Sequence, residues 1–208
     1  MTVTTEAERN FADFLTTLAD PANPRSRGAL AALRRGLGKS PGGAPGMFPY
    51  LVPWTQKLNE RDEEPFYLIA SLFALHPLSW PADAEDHPSH DFGASMRVAQ
   101  PTNPDLRAGI ERRFVALLNS DNEDVGEHLR QAVHLCKAKN IPVDWAELLH
   151  DVRRWDSMHH GTQRKWARTF WREAPPNPPD GAADETNQDI GGGSPVDQTS
   201  SERNDHVG

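Results

Sequence analysis

The sequence predicts an all-α fold. Apolar residues recur at helical spacing through most of the first 172 positions, and Asx-Pro pairs and Gly/Pro loops punctuate these stretches. No sustained period-2 alternation and little β-branched enrichment marks a strand. The pattern is clearest at 145–155, where Trp145, Leu148, Leu149, Val152 and Trp155 form a single apolar stripe.

The first helix is expected at about residues 5–18, with Phe11, Phe14, Leu15 and Leu18 inward; Asp20-Pro21 and Asn23-Pro24 end it. The second, at about 26–37, places Leu30, Leu33 and Leu37 on one side, and residues 38–49 form a Gly/Pro loop. A short helix at 50–58 is interrupted or started by Pro53. Pro65, read as a first-turn proline, opens an apolar helix to about residue 76, and residues 77–88 form a long loop. A short helix covers 92–100. Asn103 then caps a helix with Pro104 at its first position and Leu106, Ile110, Phe114 and Leu117 on one face. Asp121 or Asn122 caps the next, with Val125, Leu129, Ala132, Val133 and Cys136 inside and Asn140 closing it. Two helices follow, the second with Trp166 and Phe170 on one face and Arg164, Arg168 and Arg172 on the other. The expected organisation is an all-helical region 1–173, with lobes at 1–76 and 103–173, followed by a disordered tail at 174–208.

The net charge of −8 hides a strong segregation. Residues 174–208 carry seven acids and one arginine in a Pro-, Gly-, Asp- and Ser-rich stretch with almost nothing apolar to bury. Residues 25–39 carry five basic groups and no acid, 40–96 carry two basic and eight acidic, and 128–172 carry nine basic against four acidic. Local patches therefore say more about partners than the average does. The single cysteine, Cys136, excludes an intramolecular disulfide and suits a reducing cytoplasm. The N-terminal stretch lacks an apolar signal region, and the apolar run at 65–77 is too short to span a bilayer. A soluble cytoplasmic protein without membrane contact is expected.

The candidate functional groups are cations beside the core stripes. Arg27, Arg34 and Arg35 flank the second helix, and Arg97, Arg112 and Arg113 lie mid-chain. Arg130, His134 and Lys137 repeat along one helix that ends near Lys139, and Arg164 and Arg168 form a further basic face. Such rows can follow a sugar-phosphate backbone, because that binding is driven by charge neutralisation and ignores sequence. The competing reading is a solvated helix face, with Arg130 or Arg113 paired to Glu127 or Asp105. Tryptophans can stack on unpaired bases, but Trp145, Trp155 and Trp166 fall on core stripes; Trp171 does not. His87, His90 and Asp91 contain an HD pair of the kind metal-dependent phosphohydrolases use, though in a Pro/Gly-flanked loop with no remote Asp to complete the set. His159-His160 reads as a polar turn. Cys136 lies on a core stripe, which raises a thiol pKa, and no serine elbow or phosphate loop is present. No catalytic machinery and no cofactor are expected.

Six segments in one order carry a resemblance: ALRRG (32–36), FYLIASLFALHP (66–77), GASMR (93–97), IERRFVALL (110–118), LRQAVHLCKAKNIPVDWAELLHDVRRW (129–155) and RKWARTFW (164–171). Together they resemble the CasB family, the small subunit of the type I-E CRISPR surveillance complex Cascade, over roughly residues 8–172. The most specific piece is K-x-K-x-IPVDW-x-x-LL, followed by Trp155 and then QR-x-WAR-x-FW. The resemblance implies an all-α, non-catalytic protein that sits as a dimer against the crRNA-bearing backbone subunits and the large subunit. It implies a basic surface holding target DNA and the displaced single strand in the R-loop, carried here by Arg34, Arg35, Arg97, Arg112, Arg113, Arg130, Lys137 and Lys139. Gln131 stands where relatives often have a second basic residue, and residues 98–100 are less basic than usual. The acidic tail is not a family feature. Two other readings remain: an HD-type phosphohydrolase using His87, His90 and Asp91, and a structural adaptor that touches only other subunits.

Overall fold

Five of the nine described helices start at a short polar side chain that accepts a first-turn N–H. The structure, a computed structural model, describes residues 4–80 and 90–172. The described residues form nine α-helices: α1 Glu6–Ala19, α2 Ser26–Arg34, α3 Phe48–Thr55, α4 Glu60–Leu75, α5 Phe92–Val98, α6 Pro104–Leu118, α7 Val125–Ala138, α8 Trp145–Val152 and α9 Gly161–Phe170. A 3-10 turn covers Pro45–Met47, and among the described residues the β-structure amounts to an isolated parallel bridge between Ser79 and Val143. The all-α expectation holds. The expected tail at 174–208 and most of the loop at 77–88 lie outside the described residues.

Several starts follow the expected chemistry. Asn103 accepts from the backbone N–H groups of Asp105 and Leu106, with Pro104 at the first helical position of α6. Asp91 and Asp144 cap α5 and α8 in the same way. Thr5 forms a full capping box on α1: its hydroxyl accepts from the Glu8 N–H at 3.3 Å, and the Glu8 carboxylate accepts from the Thr5 N–H at 2.7 Å.

Other starts and faces differ from the expectation. α4 begins at Glu60, five residues before Pro65, because Asn59 caps it and Glu60, Asp62 and Glu63 complement the helix dipole in the first turn. Pro65 thus lies inside the helix, near its exposed start. α3 begins at Phe48 and contains Pro53, with Pro49 in its first turn. α2 ends at Arg34, and Leu37 follows in a turn. Neither Asp121 nor Asn122 is the cap of α7; the capping position is Asp124, and Asp121 instead accepts from the N–H groups of Glu123 and Asp124 in the preceding turn. Leu106, assigned to the buried face of α6, is 63 % exposed, and its neighbours in the first turn of that helix are exposed too. Trp155 lies past the end of α8 and is nevertheless buried, its indole N–H donating to the Ser120 carbonyl at 2.9 Å.

The core extends from Phe11 to Phe170. Aromatic rings meet at its main contacts. Phe11 lies edge-on to Trp54 and Phe66, Phe73 to Trp145, and Trp166 packs on both Phe92 and Trp155. α4 packs against α1, α2, α7 and α8, while α5 lies along α9. Gly93 is what allows the last contact: a Cβ there would lie 2.3 Å from the Trp166 carbonyl oxygen. Among the described residues no helix is long and apolar enough to cross a membrane.

Candidate nucleic-acid interface

The cations singled out in the sequence divide into three kinds. Arg35, Arg112, Arg113, Lys137 and Lys139 are exposed and form no ion pair among the described residues. Arg27, Arg164 and Arg168 behave the same way. Arg34 and Arg97 spend part of their donor capacity on backbone. Arg34 gives Nε–H and Nη2–H to the Ala74 carbonyl at 3.1 and 2.6 Å, closing the C-terminal turn of α4. Arg97 donates to the Arg172 carbonyl at 3.3 Å. Arg130 is neutralised: Glu127, one turn earlier on α7, accepts from its Nε and Nη2 at 2.9 and 2.7 Å. That pair lowers the Glu127 pKa, with the Arg130 hydrogen bond as the largest cause.

The fold brings some of these groups to one place. Arg34, at the end of α2, meets the last turn of α4. His76, which follows that turn, shares a 2.7 Å hydrogen bond with the Ile141 carbonyl, two residues past Lys139. The basic ends of α2 and α7 therefore both border the C-terminal end of α4. By contrast, Lys39 and Arg130 line a groove of about 540 Å³ that also holds Arg61, Asp62, Glu64, Glu123, Glu127 and Asp156. Arg153 and Arg154 also line it, so five cations share the groove with five acids, and Arg61 is paired to Asp156 at 2.9 Å. The groove has no single-sign field with which to attract a polyanion.

Three basic residues of the C-terminal third are committed to buried carboxylates, which the sequence did not show. Glu8 is wholly buried, and its carboxylate accepts from His150 Nδ1–H at 2.8 Å and from Arg153 Nη1 at 2.9 Å, with Arg154 at 3.7 Å. Burial pushes the Glu8 pKa up, but the Thr5 backbone N–H and His150 outweigh it and hold it below the usual carboxylate range. Beside this cluster, Asp151 accepts from Lys165 and, at 2.6 Å, from the Trp166 indole. Glu147 accepts from the same lysine at 2.6 Å and from the Thr4 hydroxyl. Burial dominates at Asp151 and raises its pKa to about 7, while its carboxylate and that of Glu147 hold Lys165 protonated against the opposing effect of burial. The one available signal was the Thr-x-x-Glu capping box, which places Glu8 at a helix start; nothing local shows that α8 lands on it.

The other candidate chemistries find little support. His87 lies outside the described residues. Asp91 accepts from the Ala94 N–H with one oxygen and from the Thr169 hydroxyl with the other, so its carboxylate ties α5 to α9. His90 stacks on Trp80. Among the described residues no three His, Cys, Asp or Glu side chains gather to hold a metal ion. Cys136 is buried, and burial pushes its thiol up to about 12, as its core position implied. Trp145, Trp155 and Trp166 are core side chains, whereas Trp171 is 44 % exposed.

The family model for CRISPR-associated protein Cse2 matches residues 29–171. The chain is 36 % identical over 145 residues to CRISPR-associated protein Cse2 of Thermus thermophilus, covering 69 % of this chain and 78 % of the relative. It is similar in structure to CasB from Thermus thermophilus, with a TM-score of 0.63, 31 % identity, and coverage of 79 % of this chain and 97 % of that one. A chain of a CRISPR RNA-guided surveillance complex shares the fold at a TM-score of 0.60 and 24 % identity, over 79 % of this chain and 91 % of that one. With more than half its length matched by that family's model, and with that relative and that fold, the chain belongs to the CRISPR-associated Cse2 family, also named CasB.

Proposed function

We propose that the chain is the non-catalytic small subunit of a type I-E CRISPR surveillance complex, and that its exposed cations hold the phosphates of target DNA and of the displaced strand in the R-loop. The observation that carries this reading is that Arg35, Lys137 and Lys139 stand exposed and without ion pairs among the described residues, on elements that meet at one end of α4. A charge already paired gains little from a phosphate, whereas an unpaired one releases condensed counterions on contact. Family membership and the fold shared with a surveillance-complex chain support the setting. Backbone and large subunits, crRNA and a second copy of this chain are the partners that follow from it, and Arg112, Arg113 and Arg27 are further contacts.

The mechanism is a bias and involves no bond breaking. Exchange of a DNA duplex for a guide–target heteroduplex plus a free strand is nearly balanced, so modest backbone contacts tip it. Arg130, spent on Glu127, and Arg34, which holds the end of α4, contribute less than the sequence suggested.

The test is the lifetime of the R-loop in a complex reconstituted with Arg35→Ala/Lys137→Ala/Lys139→Ala. The variant is expected to assemble, pair guide with target normally, and close the R-loop faster than wild type as salt rises. An R-loop as persistent as wild type at every salt concentration would overturn the reading.

A further inference from the structure

Trp171 is the one tryptophan of the C-terminal third that the core does not absorb, and its surroundings are specific. The close approach permitted by Gly93 lays α5 along α9, so that Arg97 at the end of α5 reaches the carbonyl of Arg172, immediately after Trp171. The indole N–H donates to Glu111 Oε1 of α6 at 2.5 Å. Phe114 lies 5.8 Å from the ring and Phe170 lies edge-on at 4.8 Å. The ring is thus pinned at its polar edge and backed by two aromatics, yet 44 % of the residue remains open to solvent. Around it are Arg97, Arg172 and, one turn earlier on α9, Arg168, all exposed and without ion pairs among the described residues.

We propose that Trp171 is a stacking platform for one unpaired base of single-stranded nucleic acid, with Arg97, Arg168 and Arg172 taking the flanking phosphates. The inference rests on the phosphate-holding role above and adds a base contact to it. A π face accepts any base, so stacking brings affinity without sequence choice, and it needs a base that is not already paired. The ring is held before the ligand arrives, so little side-chain freedom is lost on binding. Three unpaired guanidiniums suit a polyanion, and the acid beside the ring, Glu111, is already engaged with the indole.

The experiment compares binding of the full-length chain to a thymine dodecamer and to an abasic strand of equal length, across a range of salt. Wild type is expected to prefer the thymine strand. In Trp171→Ala the thymine affinity should fall about fivefold or more, with the abasic affinity and the salt slope unchanged. Trp171→Leu, which keeps an apolar body against Phe114 and Phe170, should lose the preference equally, while Trp171→Phe should keep most of it. Retention of the preference in Trp171→Ala and Trp171→Leu, or a parallel loss on both strands, would overturn the inference and leave the phosphate reading standing. Failure of wild type to bind either strand would overturn both.

Discussion

The cations paired with acids along the α1–α8–α9 seam and the unpaired ones at the helix ends are the same residue types in the same stretch of chain, but they do opposite work. Arg153, Arg154 and Lys165 are drawn in by Glu8, Glu147 and Asp151, where they offset buried negative charge. Lys137, Lys139, Arg164 and Arg168 meet no carboxylate among the described residues and keep their full charge toward solvent. Of the nine basic groups at 128–172, those three and Arg130 are paired, so nearly half of the counted charge is already committed. A basic stretch becomes a phosphate surface only where tertiary packing leaves it without acids.

The contrast predicts that the two sets fail differently. The largest effect is expected at Glu8. Glu8→Ala leaves His150 buried without its acceptor and strips the arginines of theirs, which should cost about 3–5 kcal/mol in denaturant unfolding. A loss below about 1 kcal/mol would mean that the seam is not held by charge.

Asp151 sharpens the same point through pH. Its folded pKa of about 7 lies above the unfolded value of about 4. Between these, the folded state holds a proton that the unfolded chain has released. Its stabilising contribution is therefore complete below about pH 4 and declines as pH rises toward 7, by at most about 1.4 kcal/mol per pH unit. Asp151→Asn should remove that slope from the unfolding free energy. An unaltered profile in the variant would place the titration elsewhere.

A smaller effect tests the α5–α9 contact that positions Arg97 and Trp171. Gly93→Ala drives a methyl group into the Trp166 carbonyl and should cost about 1–3 kcal/mol. The smallest effect belongs to the exposed set. Arg35→Ala/Lys137→Ala/Lys139→Ala should change stability by no more than about 0.5 kcal/mol per site, because no partner is lost. Arg130→Ala should likewise be near neutral, since an exposed pair one turn apart contributes about 0.3–0.5 kcal/mol.

Much of the fold was legible because helix signals are local. Asn103-Pro104 sets the start of α6 by one side chain and one fixed dihedral, and the stripes of α1, α7 and α8 place Phe11, Val133 and Trp145 in the core by period alone. The start of α4 was missed because a proline is the louder local signal, yet Asn59 and three acids together outweigh it. At the candidate site, residue type and local pairing were legible, and pairing across the chain was not. Arg130 and Glu127 share a helix face, so their pairing could be anticipated; Arg153 meets Glu8 across 145 positions, and Arg97 meets Arg172 across 75. Those contacts exist only once α8 lies on α1 and α5 on α9.

The salt dependence of single-strand binding, wild type against Arg35→Ala/Lys137→Ala/Lys139→Ala, tests the phosphate-holding role most directly. Each lost phosphate contact should lower the slope of log affinity against log salt by about 0.7, so the triple variant should lie about 2 below wild type. Equal slopes in the two proteins would contradict it, because those side chains would then not be touching phosphate.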